Sequence, residues 1–135
     1  MALSLYAPGA AVVAAGALAA GGDRVLVVID CLHTRYKPAK IVFACGHSES
    51  AQRLAWSKWT LTSAAATGTD VVNDCRPGCA TGHIHSYPVR VELSRPKHCA
   101  GQRHKLFSRA TLTFTGRRPG GVPTTRWVLN CPAML

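Results

Sequence analysis

Four side chains between residues 75 and 85 could bind a metal ion or perform redox chemistry: Cys75, Cys79, His83 and His85. Zinc takes four tetrahedral N or S ligands, usually as two pairs separated by a loop that folds the site. Here only three residues lie between Cys79 and His83, and an oxidising compartment would consume both thiolates as disulfides. Zinc binding is therefore only an alternative, as are zinc sites that recruit other histidines: His47, His98 or His104.

A redox-active pair normally has two residues between its cysteines, beside a helix N-terminus that lowers one thiol pKa. In this chain three residues intervene, Arg76-Pro77-Gly78, and Pro-Gly is typical of turns. We therefore interpret the segment as a disulfide-stapled turn that leads into a strand. The two cysteines bridge either each other or Cys45, and a metal-dependent activity centred on His83 and His85 is the alternative function.

The sequence predicts no catalytic residues and no cofactor. It contains no nucleophile elbow, zincin motif, P-loop or dinucleotide fingerprint. Acidic residues in the second half are limited to Asp70, Asp74 and Glu92, so an acid–base pair has few candidates. A triad such as Ser86, His85 and Asp74 would have to be assembled by the fold.

The elements that carry these residues show the period of β-strands. Apolar and polar residues alternate strictly in 84–94, which is typical of a half-buried strand. One face would carry Val89, Val91 and Leu93, and the other would carry Arg90, Glu92 and Ser94. Residues 104–115 alternate in the same way and form a predicted hairpin with 125–130 across a Gly- and Pro-rich loop. Two further β-branched segments, 24–30 and 40–46, also read as strands. We predict one all-β domain, an antiparallel sandwich or small barrel of six or seven strands.

Residues 51–61 are compatible with a strand that contains two tryptophans. On a regular strand Trp56 and Trp59 point to opposite faces, so at most one of them would lie in the main core. The other would be exposed and could stack on a sugar ring or a partner. Trp56 and Trp59 are therefore the candidate aromatic contact residues.

The charge balance is strongly basic, with 16 Lys and Arg against 6 Asp and Glu. All of the excess falls after residue 22, and Glu92 is the one acid between Arg90 and Arg126. Such a chain is expected to associate with an anionic polymer or membrane surface, although it shows no sequence-specific nucleic-acid motif. The candidate contact residues for an anionic surface are Arg90, Arg109, Arg117 and Arg118.

The cysteines and the N-terminal segment predict secretion or attachment to the cell envelope. Residues 10–20 form an uncharged, small-residue apolar run, and Ala17-Leu18-Ala19 fits a signal-peptidase site, although no basic residue precedes the run. The run is too short to span a bilayer, so no transmembrane helix is predicted. We therefore assign 1–22 as a signal peptide and 23–135 as a single β-domain. An even number of cysteines in such a domain indicates disulfides, with these candidates: Cys31, Cys45, Cys75, Cys79, Cys99 and Cys131.

The strand pattern favours one particular disulfide. Cys99 precedes the 104–115 strand and Cys131 follows its hairpin partner. Antiparallel pairing returns the chain to its starting point, so Cys99–Cys131 is the first choice. The sequence does not decide the remaining pairings.

Several short motifs occur in an order and spacing that resemble a family of small uncharacterised secreted proteins from actinobacteria. The motifs are KIVFACG, LAWSKW, ATGT, NDCRPGCATGHIHSYPVRVELSRP and FSRATLTFTGRRP, which together cover about residues 38–130. The resemblance carries over these pattern positions: Cys45, Trp56, Trp59, Cys75, Pro77, Cys79, Gly82, Tyr87 and Pro88. This chain departs from the family pattern in its uncharged leader and in Cys31, and the resemblance implies no activity. The sequence thus predicts a non-enzymatic extracellular binding module with a basic surface.

Overall fold

A computed structural model describes residues 23–43, 45, 48–117 and 119–133. Within these residues no helix has the length and hydropathy needed to cross a bilayer, and the helical structure is one 3₁₀ turn at Pro119–Gly121. The predicted signal peptide, 1–22, lies outside the described residues. The strands are β1 Val27–Val28, β2 Thr34–Arg35, β3 Ile41–Val42, β4 Glu49–Trp59, β5 Ser63–Asn73, β6 Ile84–Lys97, β7 Leu106–Phe114 and β8 Thr124–Val128.

Six of the strands form one antiparallel sheet in chain order, β3-β4-β5-β6-β7-β8, which curls into a half-barrel. Alternation decides which face turns inward, because every second side chain points to the same side of a strand. Val89, Val91 and Leu93 are at most 2% exposed and define the inner face, whereas Arg90 and Glu92 lie on the outer face. The predicted all-β antiparallel fold and the hairpin of β7 with β8 are confirmed.

A short N-terminal segment that includes Leu26 and Ile29 bridges β7 and β3, which lie on the two sides of the half-barrel. Leu26 donates its N–H to Lys105 O at 3.0 Å and accepts the N–H of Phe107 at 3.0 Å, so it lies parallel to the start of β7. Three residues later, the carbonyl of Ile29 accepts the N–H of Val42 in β3 at 2.8 Å. Because β-branched Val25 and Val27 are almost fully buried, this segment also fills the core. The two-stranded sheet of β1 and β2 extends from it.

The core is apolar and is built mainly from the inner face of the sheet. Its largest fully buried side chains include Phe107, Ile41, Leu93, Leu106 and Leu112. Burial of a side chain of this size contributes about 1.5–3 kcal/mol relative to exposure. This core fixes the strands whose ends carry the polar groups described below.

The tryptophans of β4 depart from the predicted alternation. β4 contains two bulges, one of them between Trp56 and Lys58. An extra residue reverses the face to which the following side chains point, so Trp59 returns to the side of Trp56. The two rings meet edge to face with centroids 4.7 Å apart, and both pack against the core. The expectation that Trp56 and Trp59 face opposite ways, with at most one against the main core, is therefore wrong.

The structure pairs all six cysteines: Cys31–Cys45, Cys75–Cys79 and Cys99–Cys131. The third bridge is the pairing that the sequence analysis favoured. It joins the connection between β6 and β7 to the chain after β8. The second bridge closes the turn before β6, which is the first of the two arrangements considered above. The domain is therefore a disulfide-stabilised β-domain.

Candidate functional site: a basic cleft at one end of the sheet

The cysteine- and histidine-containing segment forms a tightly bonded turn between β5 and β6. Asn73 accepts the N–H of Cys75 through Oδ1 at 2.8 Å and donates from Nδ2 to Cys79 O at 2.7 Å. Asp74 accepts the N–H groups of Arg76 and His83 through Oδ1 at 3.0 and 2.8 Å. These contacts and the Cys75–Cys79 bridge hold the turn in place, so the polar residues of this segment have a structural role.

His83 and His85 share one acidic partner rather than a metal-like ligand set. His83 Nδ1 lies 3.3 Å and His85 Nε2 lies 3.6 Å from Asp74 Oδ2. Hydrogen bonds from the backbone N–H groups of His83 and Arg76 lower the pKa of Asp74 to about 2, with a smaller contribution from His85. In the part of the chain that the structure describes, no three His, Cys, Asp or Glu side chains are arranged to hold a metal ion.

The strand geometry also separates the members of the hypothetical Ser86–His85–Asp74 triad. His85 and Ser86 are consecutive in β6, and consecutive strand residues point to opposite faces. Ser86 lines a shallow outer depression with Gln52 and Arg53, whereas His85 turns to Asp74. The serine is not placed for activation by that histidine.

The arginines predicted to contact an anionic surface do not lie together. Arg90 and Arg109 are both on the outer face, but their register positions are four residues apart along β6 and β7, a separation of about 13 Å. Arg90 pairs with Glu92 at 3.7 Å. The guanidinium of Arg117 lies over the ring of Tyr87, 5.5 Å from its centroid, and Tyr87 belongs to the inner face. Arg118 lies outside the described residues.

Asp70 is a second acid whose environment sequence reasoning missed. It lies on the inner face of β5 and is 0% exposed, and neither of its carboxyl oxygens meets an N–H or hydroxyl donor. Burial, reinforced by the nearby Glu49 carboxyl, raises the pKa of Asp70 to about 9. The folded domain therefore favours the protonated, neutral form of Asp70.

A basic cavity of about 300 Å³ lies at the opposite end of the sheet from Asp74. Its basic side chains come from the N-terminal segment and the connection between β6 and β7: Arg24, His98, Arg103, His104 and Lys105. Asp23 is the one acid in its lining. Ion pairs among the described residues involve Asp30, Asp74 and Glu92, and none of them reaches this cavity. Its positive charge is therefore available to an anion.

Three separate restraints hold the walls of this cavity. Hydrogen bonds of Leu26 to the backbone of Lys105 and Phe107 fix the N-terminal segment against the β6–β7 connection. The Cys99–Cys131 bridge anchors that connection from its other side. Within it, Gln102 donates its N–H to Cys99 O at 3.1 Å, closing a turn at Gly101 with a positive φ of 78°. The basic groups are thus presented from a fixed backbone.

A second cavity, of about 360 Å³, adjoins the first. The two share Asp23, Arg24, Val25 and Leu61, and the second adds an aromatic and hydroxyl lining from Tyr36, Trp59 and Thr60. The indole N–H of Trp59 donates to Val25 O at 2.8 Å, which ties β4 to the N-terminal segment. We call the two adjoining cavities the composite cleft.

Sequence reasoning included Trp59 as an aromatic candidate and His98 and His104 only as alternative zinc ligands, and it missed the rest of the composite cleft. Arg24, Leu61 and Arg103 are far apart in the chain and become neighbours only when the N-terminal segment meets β7. One local signal was present, because Leu61 is an apolar residue in the middle of the three-residue connection between β4 and β5 and is 56% exposed there. A large apolar residue in such a turn is not explained by the core.

The fold and the site together define a disulfide-stabilised antiparallel β-domain with a basic cleft at one end. No known family, curated protein or solved structure matches the chain. The site itself must therefore carry the argument about function.

Proposed function

We propose that this protein is an extracellular, non-enzymatic binding module that holds an anionic polymer in the basic part of the composite cleft. The single observation that carries the proposal is the cavity of about 300 Å³, which is lined by two arginines, one lysine and two histidines but by one acidic residue, Asp23. Three disulfides support an extracellular location, because such bonds persist in oxidising compartments.

The composite cleft is a stronger candidate than the outer face of the sheet. Arg90 on that face pairs with Glu92, and this pair reduces the positive potential around it. In the cleft, Arg103 and Lys105 project from one short connection towards a concave surface, where field lines are concentrated. Arginine in particular binds sulfate, phosphate or carboxylate groups through two parallel N–H donors.

Binding of dextran sulfate at low and physiological salt tests the proposal. Affinity should fall steeply with salt, since exposed charges are screened within about 8 Å at physiological ionic strength. The double variant Arg103→Ala/Lys105→Ala should lose most of the binding. The matched control Arg90→Ala/Arg109→Ala removes the same number of charges from the outer face and should retain most of it. No binding at low salt, or a larger loss in the control, would contradict the proposal.

A further inference from the structure

We infer that the anionic polymer is a polysaccharide: a chain of sugar rings that carry sulfate, phosphate or carboxylate groups. The inference deepens the proposed function and rests on it. One anionic group would lie in the basic cavity, and a neighbouring ring would lie in the aromatic cavity. Both cavities have the size of small-molecule sites, about 300–1,000 Å³, so each fits one or a few units of a polymer.

The aromatic cavity offers a fixed apolar wall. The ring of Trp59 packs edge to face against Tyr36 at 5.3 Å and against Phe107 at 5.5 Å between centroids. Its only polar atom already donates to Val25 O, so the indole presents apolar surface without an unsatisfied donor. Exposed Leu61 extends this wall into the basic cavity. The C–H groups of a sugar ring bury apolar area against such a wall.

The same cavity is poorly suited to a nucleic-acid base. Binding to single strands depends on aromatic faces open to stacking. The ring of Tyr36 is instead covered by cations, with the Arg24 guanidinium 4.2 Å and the Lys37 ammonium 5.3 Å from its centroid. A base would have to displace these cations, whereas a sugar can contact Trp59 and Leu61 without doing so.

Asp23 provides the strongest discrimination between polymers. Asp23 lines both cavities of the composite cleft, and a carboxylate there can accept hydrogen bonds from hydroxyl groups. A polymer with a negative charge at every backbone position would bring like charge against it, which is unfavourable. A polysaccharide supplies hydroxyl donors between its charged groups, so it fits the arrangement of Asp23 beside Arg24 and Arg103.

The test compares a lightly sulfated dextran sulfate, which keeps free hydroxyl groups between its charges, with ring-free linear polyphosphate and with a single-stranded oligothymidylate, all at low salt. Dextran sulfate should bind most tightly. Leu61→Ser should weaken its binding about tenfold, since much of a leucine side chain is lost from the contact, and should leave polyphosphate binding unchanged. Val122→Ser is the matched control, because Val122 is also exposed (47%) but lies in the connection between β7 and β8. It should change neither affinity.

The outcomes separate this inference from the proposed function. Equal binding of dextran sulfate and polyphosphate, with no selective effect of Leu61→Ser, would overturn the polysaccharide inference and leave anion binding in place. Tighter binding of oligothymidylate that depends on Leu61 would overturn it in favour of nucleic acid. Absence of binding to all three polymers would overturn both proposals. If dextran sulfate binds as expected, its affinity is compared with that of alginate, a carboxylate polysaccharide. The tighter ligand shows whether the bound anionic group is a sulfate or a carboxylate.

Discussion

The two ends of the sheet differ in how their acidic and basic groups are arranged. The cleft end comprises residues 23–25 and the turns at 60–62 and 98–105, where basic groups face a cavity. The loop end comprises the connections 74–83 and 115–123 with the adjoining strand ends. Glu49, Asp70 and Asp74 lie at the loop end, and each contacts a partner within the domain. Internal contacts of these acids thus leave Asp23 as the one acidic residue beside the basic groups of the cleft end.

Two aspartates of the loop end show how strongly position decides chemistry. Asp70 and Asp74 are four residues apart, yet burial raises the pKa of one to about 9 and backbone N–H donors lower that of the other to about 2. The buried carboxyl is a neutral core group, and the loop carboxylate organises a turn. Their effects on stability must therefore have opposite dependence on pH.

The largest expected effect is the pH dependence contributed by Asp70. Its pKa in the folded state lies above the ordinary value of 3.8, so the folded state retains a proton that the unfolded state releases. The contribution of Asp70 to stability is then complete below about pH 4 and is lost progressively as pH rises towards 9. Asp70→Asn should remove this slope, because an amide side chain does not bind or release a proton in this pH range. Urea unfolding of both proteins from pH 4 to pH 8 measures the difference.

The variant should match the wild type near pH 4 and be clearly more stable at pH 8. Glu92→Gln serves as the control, since Glu92 is exposed on the outer face, and it should leave the slope intact. A wild-type stability that is flat or rises between pH 5 and pH 8 would show that Asp70 is ionised in the folded domain.

Disulfide removal provides the next largest contrast between the ends. Cys99–Cys131 closes a sequence separation of 32 residues and Cys75–Cys79 one of 4. Chain entropy predicts losses of about 4 and about 2 kcal/mol for the corresponding double Cys→Ala variants. The first should also weaken dextran sulfate binding, because it releases the 98–105 connection, and the second should not. Equal losses of binding would contradict the assignment of the site to the cleft end.

Replacement of Gly82 at the loop end should destabilise the domain more than replacement of Gly78 in the same turn. A Cβ at Gly82 would overlap Asn73 Oδ1 and lie 2.8 Å from Cys75 N, whereas one at Gly78 would meet nothing within 4 Å. Gly82→Ala should cost about 2 kcal/mol, and Gly78→Ala should stay within about 0.5 kcal/mol. Urea midpoints of the two variants measure this, and a larger loss for Gly78→Ala would contradict the described turn. Binding at the cleft end should remain unchanged in both.

The sequence predicted those parts of the molecule that depend on local period. β6 and the β7–β8 hairpin were identified because their alternation is uninterrupted. β4 was harder, since its bulges reverse the faces of Trp56 and Trp59, and a bulge leaves no mark in the hydrophobic pattern. The full burial of Asp70 in β5 has no local signal either, because the environment of an acid is set by tertiary contacts. The composite cleft forms only where the N-terminal segment meets β7 across the half-barrel, so no local sequence pattern predicts it.

The smallest expected effect is that of Asp74→Asn, and its sign is opposite to that of Asp70→Asn. The pKa of Asp74 is lowered to about 2 by the N–H groups of His83 and Arg76, so its contribution is present above about pH 4 and is lost as pH falls through 2. Asparagine keeps an oxygen acceptor for both N–H groups and loses only the charge that faces the two histidines. The variant should therefore be slightly less stable than wild type at pH 6 and equal to it at pH 2. Thermal unfolding at these two values measures the difference, and a variant more stable at pH 6 would mean that Asp74, like Asp70, is held against its ionised form.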